Sequence, residues 1–151
     1  FKFIDAIENN RPIDVYNYGK MKRDFTYCED LVTSIENLIG CVPPLPSGRS
    51  PNYLNEVDSL SPVAPYRVVN IGNSNPTELM DYIAALENAL GVKAEKNMLP
   101  MQSGDVPATW ADTELLKKLT GYIPSTPVEV GVREFVDWYK SYNGKKGLRH
   151  G

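Results

Sequence analysis

The sequence predicts an α/β fold made mainly of helices, with three or four short strands. Three observations carry this. Five segments place apolar residues three and four positions apart, the spacing of a helix with one buried face. Two of them open on capping boxes with Pro at the first helical position, Asn75-Pro76-Thr77-Glu78 and Thr126-Pro127-Val128-Glu129. The extended runs between helices are short, and too few for a complete doubly wound sheet.

In chain order, FKFIDAIEN sets Phe3, Ile4 and Ile7 at helical spacing, and this helix should end at Asn9–Asn10, before Pro12. No capping residue precedes it, although a native helix start usually carries one. The chain is therefore expected to enter its first helix partway along, as a fragment of something longer. IDVYNY (13–18) alternates Ile13, Val15 and Asn17 against Asp14, Tyr16 and Tyr18, as a strand does. Gly19 permits a turn, after which RDFTY is again extended. A helix from Glu29 carries Leu31, Ile35 and Leu38 on one face and stops at Gly40. Residues 41–66 hold six of the twelve prolines amid Ser, Gly and Asn, which excludes regular structure. This reads as a linker between two domains or as a long loop within one. Each flank is small to fold alone, which favours a single unit over 1–151. YRVVNIG (66–72) is apolar and ends in Gly, as a buried strand would. Leu79, Ile83, Leu86 and Leu90 follow the first capping box to Gly91, and KNMLPM (96–101) gives another strand. Asp112 caps a short helix through Leu115, Leu116 and Leu119 to Gly121. The second box opens the last helix, with Val132, Phe135 and Tyr139 inward.

The 151 residues suffice for a domain that buries about 68–70% of the surface its unfolded chain exposes. Sixteen basic against nineteen acidic residues give a net charge of −3, so no broad cationic field exists and a nucleic-acid partner is disfavoured. Cys28, Cys41 and the single histidine, His150, have no metal-ligand spacing, and no metal is expected. Two free thiols in a reducing compartment is the simpler reading, with a disulfide left open. No apolar run is long enough to cross a membrane and none reads as a signal peptide, so a cytoplasmic protein with no membrane partner is expected.

Two stretches bear chemistry. YNYGKMKRDFTY (16–27) interleaves Tyr16, Tyr18, Phe25 and Tyr27 with Lys20, Lys22 and Arg23. Rings and cations mixed in this way suit stacked bases and neutralised phosphates. An Arg after a Gly turn can offer its planar fork to two phosphate oxygens. Tyr16 would face it across a hairpin and present a ring to a base. The plainer alternative is a surface hairpin with Arg23 paired to Asp24 or Glu29. In QSGDVPATWAD (102–112), Gly104 lets the backbone approach a ligand and Asp105 can accept two ribose hydroxyls. Pro107 stiffens the path, and Trp110 is large enough to anchor the loop in a core. A turn followed by the cap Asp112 explains part of the same stretch. No glycine-rich phosphate loop lies between a strand and a helix, and Gly144 with Gly147 gives only GxxG. Tyr16/Lys20 and Tyr142/Lys146 match YxxxK. The first lies on a strand and the second where its helix expires at Asn143–Gly144, so both read as chance matches.

Taken together and in order, DVYNYGKMKRDFTYCED, YRVVNIGNSNPTELMDYIAALENALG, MLPMQSGDVPATWADT and TGYIPSTPVEVGVREFVDWYKSY resemble bacterial nucleotide-sugar epimerases. These belong to the extended short-chain dehydrogenase/reductase family, and the nearest subfamily is UDP-glucuronate 4-epimerase. The likeness runs from Phe1 to about Tyr142. It implies that the chain is the C-terminal substrate-binding part of that fold. The Rossmann domain, with its glycine fingerprint, catalytic Ser/Thr and YxxxK, would be missing ahead of Phe1, would bind the NAD, and would leave this chain no catalytic residue. The family's uracil-stacking aromatic falls on Tyr16, its diphosphate arginine on Arg23 and its ribose-binding carboxylate on Asp105. Relatives acting on galactose carry a second phosphate-binding Arg where this chain has Gln102, and a Tyr near the sugar where it has Thr109. Glucuronate-type relatives resemble this sequence at both positions. Cys28-Glu29-Asp30 departs from the commoner Ile-Asp-Asp but keeps Asp30, and Ser103 replaces a usual Pro.

The resemblance further implies a UDP-sugar ligand and, for the full-length protein, a homodimer. NAD would take the C4 hydride of UDP-glucuronate and return it to the other face of the rotated ketone, giving UDP-galacturonate. The fragment alone would be inactive. With the missing domain absent, Phe3, Ile4, Ile7 and parts of 28–40 are expected to lose their cover and form an apolar patch. The rival readings are a free-standing nucleotide-sugar-binding or regulatory module and a related nucleotide-sugar dehydratase. The reading frame upstream of Phe1 separates the module from the epimerase.

Overall fold

A computed structural model describes residues 1–45 and 58–147. Along the chain run α1 (Lys2–Glu8), β1 (Ile13–Val15), β2 (Lys22–Arg23), α2 (Cys28–Ile39), β3 (Thr77–Glu78), α3 (Leu79–Leu90), β4 (Lys96–Met98), β5 (Ala108–Thr109), α4 (Glu114–Thr120) and α5 (Val128–Gly147). The helix-rich α/β class is as the sequence predicts. The chain divides into two compact units, one of Phe1–Arg23, Pro76–Thr109 and the segment from Pro127, the other of Asp24–Asn75 and Trp110–Thr126.

In the first unit α3 packs along α5. Ile4 joins Ala85, Leu86, Val132, Val136 and Tyr139 in one core, and Ile7 joins Ile13, Val15 and Ile83 in another. Burying one such aliphatic side chain fully stabilises by about 1.5–3 kcal/mol. Ile4 and Ile7 are thus not uncovered, because α1 delivers them into the apolar stripes read from α3 and α5. Gly91, left-handed at φ 73°, ends α3 as its sequence predicts.

The first capping box does not start a helix. Thr77 and Glu78 pair antiparallel with β2, Arg23 opposite Thr77 and Lys22 opposite Glu78, and α3 begins only at Leu79. Ladder bonding to a strand far away in sequence outcompetes the local cap. The strand read over 13–18 stops at Val15, because Asn17, Tyr18 and Gly19 are all left-handed, at φ 50°, 51° and 78°. A Cβ at Gly19 would stand 2.7 Å from Met80 Sδ, so both φ and space require glycine there. Nor is there a hairpin: β1 pairs parallel with β4, and β2 lies between β3 and a parallel β5. The last helix runs on to Gly147, since one interior glycine costs only about 1 kcal/mol against alanine. Tyr142 is therefore helical, with its ring stacked on Trp138 at 5.2 Å between centroids.

Glu87, buried on α3, accepts Lys93 Nζ at 2.7 Å, the Ala94 N–H at 3.1 Å and Lys96 Nζ. The bonds from Lys93 and Lys96 outweigh its burial and draw its pKa down to about 2.

In the second unit α2 packs on α4. The face of α2 turned inward carries Asp30 and Ser34, whereas Leu31 and Ile35, expected inside, are 41% and 49% exposed together with Val32 and Ile39. The part of the expected apolar patch that falls on 28–40 is present. Asp30 sets this orientation. Its carboxylate accepts the Tyr122 hydroxyl at 2.7 Å and the N–H groups of Thr126 at 2.9 Å and Ser125 at 3.3 Å. Burial alone would raise its pKa, but these bonds prevail and lower it.

Residues 66–72 form no strand among the described residues, and Tyr66 and Val68 are exposed. Of the proline-rich stretch, 46–57 lies outside the described residues, and 41–45 and 58–66 carry no helix or strand. Trp110 is 65% exposed and anchors no core. Cys28 and Cys41 are free thiols, the Cys41 Sγ lying 3.2 Å from the Leu119 carbonyl. No described helix is long and apolar enough to cross a membrane.

Candidate functional site

The site is built from two connections lying side by side in the first unit. β1 and β4 are parallel, with Ile13 opposite Lys96 and Val15 opposite Met98, so both chains leave the ladder at the same end. Residues following the carboxyl ends of parallel strands are where open α/β sheets place ligands. The first connection carries Tyr16 and the left-handed turn, then enters β2 with Arg23. The second carries Gln102, Gly104 and Asp105, then enters β5 with Thr109. Main-chain bonds zip the two together: Leu99 N–H to the Val15 carbonyl at 3.0 Å, Tyr18 N–H to the Leu99 carbonyl at 3.0 Å, and Lys22 N–H to the Pro107 carbonyl at 2.8 Å. Beyond them β2 and β5 run parallel with Arg23 opposite Thr109.

The turns are set locally. In the first, Asn17 donates its Nδ2 to the Lys20 carbonyl at 2.9 Å and Lys20 returns its N–H to the Asn17 carbonyl at 2.9 Å. A short polar side chain that bonds its own backbone eases the left-handed conformation. In the second, Gly104 at φ 84° folds the chain so that the Asp105 N–H reaches the Gln102 carbonyl at 3.2 Å. A Cβ on Gly104 would meet nothing within 4 Å, so φ rather than crowding calls for glycine.

Arg23 is held at both nitrogens of its fork. Nη1 donates to the Lys22 carbonyl at 2.8 Å and Nη2 to Asp105 Oδ1 at 3.0 Å. Its ion-pair partner is thus Asp105, and not Asp24 or Glu29 as the surface-hairpin alternative requires. Lys22, opposite Glu78 in the ladder, pairs with that carboxylate at 2.8 Å, and the bond raises its pKa. Tyr16 is half-buried at the mouth of the turn, while Gln102 and Thr109 are exposed. The structure therefore brings Arg23, Asp105, Gln102 and Thr109 together on one ladder and its feeding loop. No hydrogen bond, ion pair or ring contact joins Tyr16 to them among the described residues.

Sequence reasoning missed Asp24. In the second unit its carboxylate accepts three main-chain N–H groups, from Asn73 at 3.0 Å, Ser74 at 2.9 Å and Ala111 at 3.1 Å. A Cβ on Gly72 would stand 2.7 Å from Asp24 Oδ2 and 2.5 Å from the Ala111 Cβ. No local signal marks it: Asp24 stands between Arg23 and Phe25, and its partners Asn73, Ser74 and Ala111 lie 49, 50 and 87 positions further along the chain. No group of three or more His, Cys, Asp or Glu among the described residues is placed to hold a metal.

No protein-family model matches the chain. It is 54% identical over 140 residues to a probable UDP-glucuronate 4-epimerase of Rhizobium meliloti, covering 92% of this chain and 40% of that protein. It is 45% identical over 149 residues to protein CapI of Staphylococcus aureus, covering 96% and 42%. The chain thus spans about two fifths of the length of these curated relatives, 40% and 42%. Among solved structures it resembles the UDP-glucuronic acid 4-epimerase of Bacillus cereus, crystallised with UDP-glucuronic acid and NAD. The TM-score is 0.70 at 24% identity, covering 93% of this chain and 38% of that one. By sequence over nearly its whole length, and by fold, the chain matches the C-terminal part of nucleotide-sugar epimerases of the extended short-chain dehydrogenase/reductase type, probable UDP-glucuronate 4-epimerases among them.

Proposed function

We propose that this chain, both of its units together, is the UDP-sugar-binding part of an NAD-dependent 4-epimerase that interconverts UDP-glucuronate and UDP-galacturonate. The observation that carries the proposal is the convergence of Arg23, Asp105, Gln102 and Thr109, from two distant segments, beside the turn that bears Tyr16. Each has a task suited to its chemistry. The Tyr16 ring stacks on uracil, the Arg23 fork takes diphosphate oxygens, and the Asp105 carboxylate accepts ribose hydroxyls. By the resemblance, Gln102 stands at the phosphates and Thr109 near the sugar, each offering a neutral hydrogen-bonding side chain. Binding energy from this end orients the sugar for chemistry at a carbon remote from these residues.

The chain's own residues do not fit a dinucleotide. It has no glycine fingerprint, and β1 leads into a left-handed turn rather than into a helix whose N-terminus could cradle a pyrophosphate. NAD and the acid/base groups accordingly belong to the N-terminal domain of the longer enzyme, which forms a homodimer in the cytoplasm. The expected result is that the 151-residue chain alone, given NAD and UDP-glucuronate, yields no UDP-galacturonate, whereas the protein from its native reading frame does. Product formed by the chain alone, or an upstream frame without a dinucleotide domain, contradicts this.

A further inference from the structure

Two of the site residues offset each other's charge. Arg23 Nη2 lies 3.0 Å from Asp105 Oδ1, with the two side chains 28% and 35% exposed. The other bonds of the pair are Arg23 Nη1 to the Lys22 carbonyl and the Val106 N–H to Asp105 Oδ1 at 2.9 Å. Asp105 Oδ2 accepts nothing among the described residues. The neighbouring cation, Lys22, is engaged by Glu78. A bare anion approaching Arg23 therefore meets a carboxylate already bonded to the same guanidinium, and like charges so placed repel. A ligand with hydroxyls beside its phosphate meets a different site. The hydroxyls donate to Asp105, whose open oxygen is there to receive them, and the phosphate takes the remaining N–H groups of the fork.

We infer that Asp105 is a specificity residue that screens Arg23 from free phosphates and reserves the site for phosphates joined to a vicinal diol; this rests on Arg23 being the diphosphate contact. The opposite role, a carboxylate that merely holds the Arg23 rotamer, predicts the opposite sign when its charge is removed.

Calorimetric titration of the protein from its native reading frame distinguishes them, with inorganic pyrophosphate, UDP and 2′,3′-dideoxyuridine diphosphate as ligands. Asp105→Asn keeps the shape and removes the charge; Asp105→Ser is the second variant, and thermal melts confirm that each is folded. Pyrophosphate binding is expected to tighten by about three- to thirtyfold in Asp105→Asn, the range for relief of a half-exposed like-charge contact. UDP binding should weaken, and the preference for UDP over its dideoxy analogue should vanish. If pyrophosphate binds Asp105→Asn no better than wild type while Arg23→Ala still weakens UDP, the screening role is overturned and the Arg23 contact stands. If Arg23→Ala binds UDP like wild type, the underlying reading falls and the inference with it.

Discussion

Arg23→Ala is expected to weaken UDP binding by roughly ten- to a hundredfold, since a charge-assisted hydrogen bond contributes about 1.5–3 kcal/mol. The guanidinium is already anchored by the Lys22 carbonyl at 2.8 Å and by Asp105 at 3.0 Å, so little side-chain entropy remains to be lost when a ligand binds. Arg23→Lys should recover only part of the affinity, because an ammonium keeps the charge and loses the fork. Tyr16→Ala should weaken UDP and UMP alike, the ring facing the base, whereas Arg23→Ala should harm UDP more than UMP. Titrating both nucleotides against both variants decides it. Equal binding of UDP by Arg23→Ala and wild type would return Arg23 to the role of a surface ion-pair residue.

Asp24→Ala is expected to cost about 2–4 kcal/mol of stability, because three main-chain N–H groups lose an ionised acceptor and bonds to charged groups are the strong ones. Those donors belong to Asn73, Ser74 and Ala111, so one side chain closes two segments around itself. Asp24→Asn, which keeps one accepting oxygen, should lose less. Denaturant unfolding followed by circular dichroism measures both. An Asp24→Ala variant within 0.5 kcal/mol of wild type, about the spread of an ordinary surface substitution, would show that water or a backbone shift satisfies the donors.

What the sequence made legible was whatever short-range physics decides. Gly91 and Gly121 end helices in the left-handed conformation expected of them. Ile83, Leu86, Val132 and Tyr139 are buried because helical spacing dictates one face. The misses share a cause, a partner distant along the chain. Thr77-Glu78 is a capping box by local rules, yet β2 claims it as a strand. Leu31 and Ile35 form the apolar face of α2, but Asp30 turns that helix by binding Tyr122, Ser125 and Thr126. The two candidate stretches were each visible alone. The bond between Arg23 and Asp105, 82 positions apart, was not, and neither was the parallel ladder that sets Thr109 opposite Arg23.

The most direct test of the central claim is hydrogen exchange, read by mass spectrometry on the protein from its native reading frame with and without saturating UDP. Protection is predicted, within this chain, in peptides covering 16–23 and 99–109, the two zipped connections and the strands they enter. UDP-dependent protection confined to other segments, α5 for instance, or no protection anywhere in this chain, would contradict the assignment of a UDP-sugar site to these residues.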